Sequence, residues 1–145
     1  MIRNERQYRI TKTQAANFER ALANIIESEA LQKSSLHPVL QKAQQDALRS
    51  QLEDLRGQLQ EYDALQSGQN VFHVSGTFDA LPSALIKARI AQGLSQKELA
   101  LRMGLKEQQI QRYESTGYAA ASFERLSMVI KALGVSVTED VRFIS

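Results

Sequence analysis

Glu107, Gln108, Gln111 and Arg112 bring amide, carboxylate and guanidinium groups together in one short run, LKEQQIQRY, at helical spacing. Ile110, Tyr113 and part of Leu105 are its apolar positions. A helix over about 106–115 that buries them turns the four polar side chains outward. Those side chains suit base edges: Gln can pair bidentately with adenine, Arg with guanine, and Glu can accept from cytosine N4. Each good bidentate pair supplies about 1–3 kcal/mol of discrimination. Gln109 lies further round the helix and is not counted among the base readers. Glu107 also has a simpler reading, as half of a solvated helix pair with Arg112 stabilising by a few tenths of a kcal/mol.

Such a set must be held out from the body of the protein, and the preceding residues provide for that. Gln96 to Tyr113, QKELALRMGLKEQQIQRY, reads as a helix, a tight turn and a second helix. Leu99, Met103, Leu105, Ile110 and Tyr113 form the apolar faces of the pair. Ala100 lets the two helices approach, and Gly104 stands where the chain must reverse with positive φ. Ser95 and Glu98 make a capping box at the start of the first helix. Upstream, Asp79 is expected to cap a helix that carries Pro82 in its first turn, faces Leu81, Leu85, Ile86 and Ala88 inward, and ends at Gly93. Downstream of a small-residue loop, STGYAAAS, Ser122 begins a helix through Leu126, Val129, Ile130 and Leu133 that stops at Gly134. A helix-turn-helix of this kind holds its second helix in position to enter the DNA major groove. Lys97 and Lys106, near the two helix starts, are candidate phosphate contacts.

Over Leu85 to Val137, the words ALIKARIAQGLSQKELALRMGLKEQQIQRYE and LSMVIKALGVSV resemble the XRE, or lambda-repressor-like, helix-turn-helix family. The resemblance implies base contacts by Gln108 and Arg112, with Glu107 at a further contacting position. It implies a DNA-phosphate bond by Gln96, and a partly buried ion pair between Arg89 and Glu114 that fixes helix orientation. It also implies a dimer on an inverted repeat, because one unit reads only a few base pairs and two half-sites lie about 34 Å apart. This chain departs from the family after Glu114. Ser115-Thr116-Gly117 replaces the common Asn-Gly, and the following loop lacks the usual cations.

The N-terminal part has a different pattern. Arg3, Arg6, Arg9 and Lys12 are spaced by three in a segment read as a solvated tail. Thr11 or Thr13 is then the expected cap of a helix carrying Phe18, Leu22, Ile25 and Ile26. Pro38 restarts the chain in a long helix to Gln66, in which Leu48, Leu52, Leu55, Leu59 and Tyr62 alternate steps of four and three. That is a coiled-coil seam. Its occupant is either the first helix, folded back as a hairpin, or a second subunit or partner protein. The polar run Ser67 to Asn70 is the expected linker.

The expected fold is all-α: a helical hairpin or coiled coil over 1–70, then a lambda-repressor-like bundle over 71–145. Short β segments at 71–74 and 141–144 are the natural pair to flank the bundle. The chain has 145 residues, a net charge of +2 and no cysteine. The charge is divided as nine basic and nine acidic residues up to Asn70, and nine and seven beyond it. DNA binding is therefore argued from the motif, and local phosphate contacts suffice for it. Without cysteine there is no thiolate metal site or nucleophile. His37 and His73 lie in no metal-ligand or catalytic spacing, no phosphate-binding loop occurs, and no run is long enough to span a membrane. The reading is a cytoplasmic, non-enzymatic transcriptional regulator without metal or cofactor, acting as a homodimeric repressor on double-stranded DNA. Antitoxins of this family type, which bind their own promoter and a toxin partner, are a special case of it. The alternative is an interaction adaptor that works through the coiled coil.

Overall fold

The computed structural model describes residues 1–33, 35–68 and 73–144, and its two compact units are Met1–Asp63 and Ala64–Ser145. Six α-helices occur among the described residues: α1 (Glu5–Ala30), α2 (Pro38–Gln66), α3 (Leu81–Ala91), α4 (Gln96–Met103), α5 (Glu107–Ser115) and α6 (Phe123–Leu133).

The first unit is an antiparallel helical hairpin. α1 starts at Glu5 because the Asn4 side chain accepts from the Gln7 backbone N–H at 2.9 Å, while the Gln7 side-chain amide oxygen accepts from the Arg3 N–H at 2.8 Å. Asparagine is among the best N-caps. The helix therefore begins well before the expected Thr11 or Thr13, and it draws Arg6, Arg9 and Lys12 out of the expected tail. Thr11 is buried inside α1, and the Thr13 hydroxyl donates to the Arg9 carbonyl.

Three contacts fix the pairing of the helices. Gln45 donates to Glu29 near the bend, Arg56 pairs with Glu19 in the middle, and Tyr8 lies on Tyr62 with ring centroids 5.1 Å apart. Leu52 and Tyr62 on α2 and Thr11 and Ala15 on α1 are buried, while Leu48, Leu55 and Leu59 are half-buried. The seam on α2 is thus occupied by α1 of the same chain. Around the bend, Leu31, Leu36, Val39 and Leu40 remain exposed.

The second unit is built from short helices. α4 packs on α5 and on α6, and α3 packs on α6. Leu85, Ile86, Ile90, Leu99, Ile110, Val129 and Leu133 form its core. Asp79 does not cap α3. It lies in a 3-10 turn, Phe78–Ala80, that feeds directly into α3, whose first turn takes Pro82 without losing a needed N–H. Ser122 caps α6 by accepting from the Arg125 N–H. The far end of α6 is closed by side chains, Gln92 donating to the Leu133 carbonyl at 2.7 Å and Arg102 to the Ala132 carbonyl at 3.1 Å. These bonds satisfy carbonyls that the helix itself cannot.

No strand forms among the described residues. Val71 and Phe72 lie outside them, and His73-Val74 and Val141 to Ile144 have no ladder partner. Two such short runs offer too few bonds to offset the entropy of ordering them.

Candidate nucleic-acid interface

The turn between α4 and α5 is set by Gly104, at φ 67° in the left-handed region, where a glycine meets no steric cost. The Leu105 N–H bonds back to the Ala100 carbonyl at 2.9 Å and closes the turn. α4 itself begins on the Ser95–Glu98 capping box: the Glu98 N–H donates to the Ser95 hydroxyl at 3.1 Å, and the Ser95 N–H donates to the Glu98 carboxylate at 2.7 Å. The backbone N–H and the hydroxyl of Ser95 hold the Glu98 carboxyl below the usual carboxylate range. Its contribution to stability is therefore complete above that range and is lost as pH falls through the lowered value. Glu98→Gln keeps an acceptor there but does not titrate, so thermal melts through the acid range should show a flatter decline for that variant.

At the start of α5, Gln109 accepts from the Lys106 N–H at 2.9 Å. Gln109 thus closes the helix end, which leaves it off the outward face. Ile110 and Glu114 are fully buried and Tyr113 is half-buried. At ~100° per residue, Gln108 and Arg112 stand about 160° around the helix from Ile110. Both are exposed, as are Glu107 and Gln111. Gln111 donates to Glu107 at 3.2 Å, so Glu107 pairs with the amide one turn on and not with Arg112. Among the described residues, the Arg112 guanidinium has no bonded partner. Ser115 shares this face, its hydroxyl donating to the Arg112 carbonyl at 2.8 Å. Lys97 and Lys106 are exposed on α4 and at the N-cap of α5.

Beneath this face lies a buried polar network. Arg89 Nε donates to Glu114 Oε1 at 2.6 Å and its Nη2 to Oε2 at 2.9 Å, a bidentate pair with Arg89 2 % and Glu114 0 % exposed. Arg89 also donates to the Leu94 carbonyl at 2.6 Å. The Gln96 amide completes the set, donating to Glu114 Oε2 at 2.8 Å, and the residue is 4 % exposed. The Gln96 side chain, expected at a DNA phosphate, makes this interior bond. A buried carboxylate with free lone pairs outcompetes solvent for that amide. Gln96 steadies α5 from inside, by way of Glu114.

Tyr118 is a residue that sequence reasoning passed over as loop filler. It is buried, its ring stacks on Tyr113 with centroids 5.9 Å apart, and its N–H donates to the Tyr113 carbonyl at 2.7 Å. Its φ of 58° follows Gly117 at 60°, two left-handed residues in succession. Burial pushes the phenol upward, and the nearby Glu114 charge adds to that. The hydroxyl stays protonated. On the Tyr113 ring, Arg125 of α6 lies 5.9 Å from the centroid, a cation beside the end of α5 where the loop supplies none. Only the arginine itself, three residues past the Ser122 cap, could have signalled this.

Among the described residues no group of three or more His, Asp or Glu side chains is arranged to hold a metal ion, and no helix is long and apolar enough to cross a membrane. An outward-facing helix of hydrogen-bonding side chains, set on a buried anchor by a tight helix-turn-helix, defines a DNA-binding domain. Residues 85–139 match the family model described as Helix-turn-helix, so the second unit carries a helix-turn-helix domain of the XRE family. No curated protein and no solved structure matches the chain.

Proposed function

We propose that the protein is a sequence-specific transcriptional repressor that binds double-stranded DNA as a homodimer, placing α5 in the major groove. The observation that carries this reading is the division of α5. Gln108 and Arg112 stand free on its outer side, while Glu114 is locked to Arg89 and Gln96 on its inner side. Gln108, Gln111 and Arg112 are the base-reading set, with Glu107 aligned by Gln111. Lys97, Lys106 and Arg125 are the phosphate contacts. The role needs no catalytic group, metal or cofactor, and the proposed location is the cytoplasm.

The test is a salt titration of binding to DNA from upstream of the protein's own gene, against scrambled DNA. Tight binding to the native fragment alone, falling steeply with salt, is the expected result for an autoregulating repressor. Equal and weak binding to both fragments would refute it.

A second reading concerns the hairpin. Leu31, Leu36, Val39 and Leu40 form an exposed apolar cluster at its bend, which suits a protein partner. In an antitoxin that partner is a toxin. In an adaptor it is the main ligand, and binding survives changes to Gln108 and Arg112.

A further inference from the structure

The nine basic and nine acidic residues of 1–70 cancel in sum but not in place. From Arg3 to Arg20 five basic residues meet two acidic ones, and from Asp46 to Asp63 two meet five. The first stretch opens α1 and the second lies on α2. At ~100° per residue, Arg6, Arg9 and Arg20 fall within about 60° of one another, roughly opposite the buried Thr11 and Ala15. All three arginines are exposed, as are Thr13, Ala16 and Asn17 between them. Ile10, half exposed, stands at the margin of this stripe. Neither Arg6 nor Arg9 bonds to another side chain among the described residues. Arg20 donates to Asn17 at 2.6 Å, a neutral acceptor that leaves its charge uncompensated. The acidic Glu19 beside it is taken by Arg56 of α2. On α2, Asp46, Glu53 and Asp54 are exposed on the side away from the buried Leu52. The hairpin thus has a basic back and an acidic back.

We infer that the Arg6, Arg9 and Arg20 stripe of α1 is a second DNA contact, one that holds the phosphate backbone without reading bases. Its composition decides the ligand. The core of a protein–protein interface is depleted in charge and built on large side chains. Here alanine is the one apolar residue between the arginines. Guanidinium groups with Asn and Thr among them are the side chains that take phosphate oxygens. From Arg6 to Arg20 the stripe runs about 21 Å, the axial length of about six phosphates of one strand. The same phosphates repel the acidic back of α2, so the field of the duplex favours approach by α1. The contact rests on the repressor reading for its ligand, not for its specificity, and it acts on any sequence alike.

The experiment is the salt dependence of full-chain binding to the native upstream fragment and to scrambled DNA. Wild type is compared with the triple variant Arg6→Gln, Arg9→Gln, Arg20→Gln and with Lys42→Gln, Arg49→Gln on α2. Each phosphate neutralised adds about 0.9 to the slope of log K against log salt, so the triple variant should lose about 2–3 from it on both fragments. Its preference for the native fragment should not change. The α2 variant should keep the wild-type slope, and sedimentation should give all three proteins one mass. A triple variant with the wild-type slope, or a loss matched by the α2 variant, would overturn the inference. So would a drop in mass for the triple variant, which would place the arginines between two copies, or a wild type that binds neither fragment. Loss of preference between fragments refutes the repressor reading instead, and the slope on scrambled DNA still tests this one.

Discussion

Glu114→Ala is expected to destabilise the second unit by about 3–5 kcal/mol, because it leaves a buried guanidinium without its counter-charge. Arg89 is 2 % exposed and would lose both of its bonds to Glu114, and Gln96 would lose its bond to the same carboxylate. Domains of this size are stable by only about 5–15 kcal/mol, so the variant should be partly unfolded at physiological temperature. Urea unfolding followed by circular dichroism measures the loss. Arg112→Ala, on the exposed side of the same helix, is the control and should shift stability by no more than about 0.5 kcal/mol. A loss below about 1 kcal/mol for Glu114→Ala would mean that the network is dispensable. Gln96→Ala should fall between the two, since it removes one hydrogen bond to a charged group, about 1.5–3 kcal/mol.

The second large effect is on binding. Replacing Gln108 and Arg112 together with alanine should remove about 2–6 kcal/mol of specific affinity, at 1–3 kcal/mol for each bidentate contact. That is a loss of about 30-fold to 10⁴-fold for the cognate site. Scrambled DNA should be affected far less, since only one positive charge is removed. Fluorescence anisotropy with both fragments at fixed salt separates the two, and the melting temperature should not change. A double variant that keeps full discrimination would show that α5 is not the reader.

The parts of this protein that were legible in the sequence are those set by local chemistry. Ala100, Gly104 and Ile110 specify the turn by size and φ, and the Ser95–Glu98 box states its own geometry over three residues. The Arg89–Glu114 pair was legible only through resemblance, because 25 residues separate its members. The inward bond of Gln96 was hidden for a related reason. Its amide can serve a phosphate or a carboxylate, and only the fold puts Glu114 within 2.8 Å. The heptad on α2 announced a partner helix but could not say which one, and it took α1. At α1 the cap was misplaced because two threonines lay close to the apolar run, whereas Asn4 had its partner in Gln7 and preceded it. Tyr118 escaped notice because a left-handed tyrosine is uncommon, and nothing in STGYAAAS marks its ring as buried.

The two-sidedness of α5 has a consequence for how such a protein changes over generations. In the proposed repressor, the residues assigned to DNA and the residues that hold the domain together occupy opposite sides of the same nine-residue helix. Mutations at 108, 111 and 112 can therefore accumulate, drift or be selected without touching Ile110 or Glu114. A lineage can move to a new target sequence one side chain at a time, each intermediate remaining folded and none needing a compensating change in the interior. The domain keeps one architecture while its address changes.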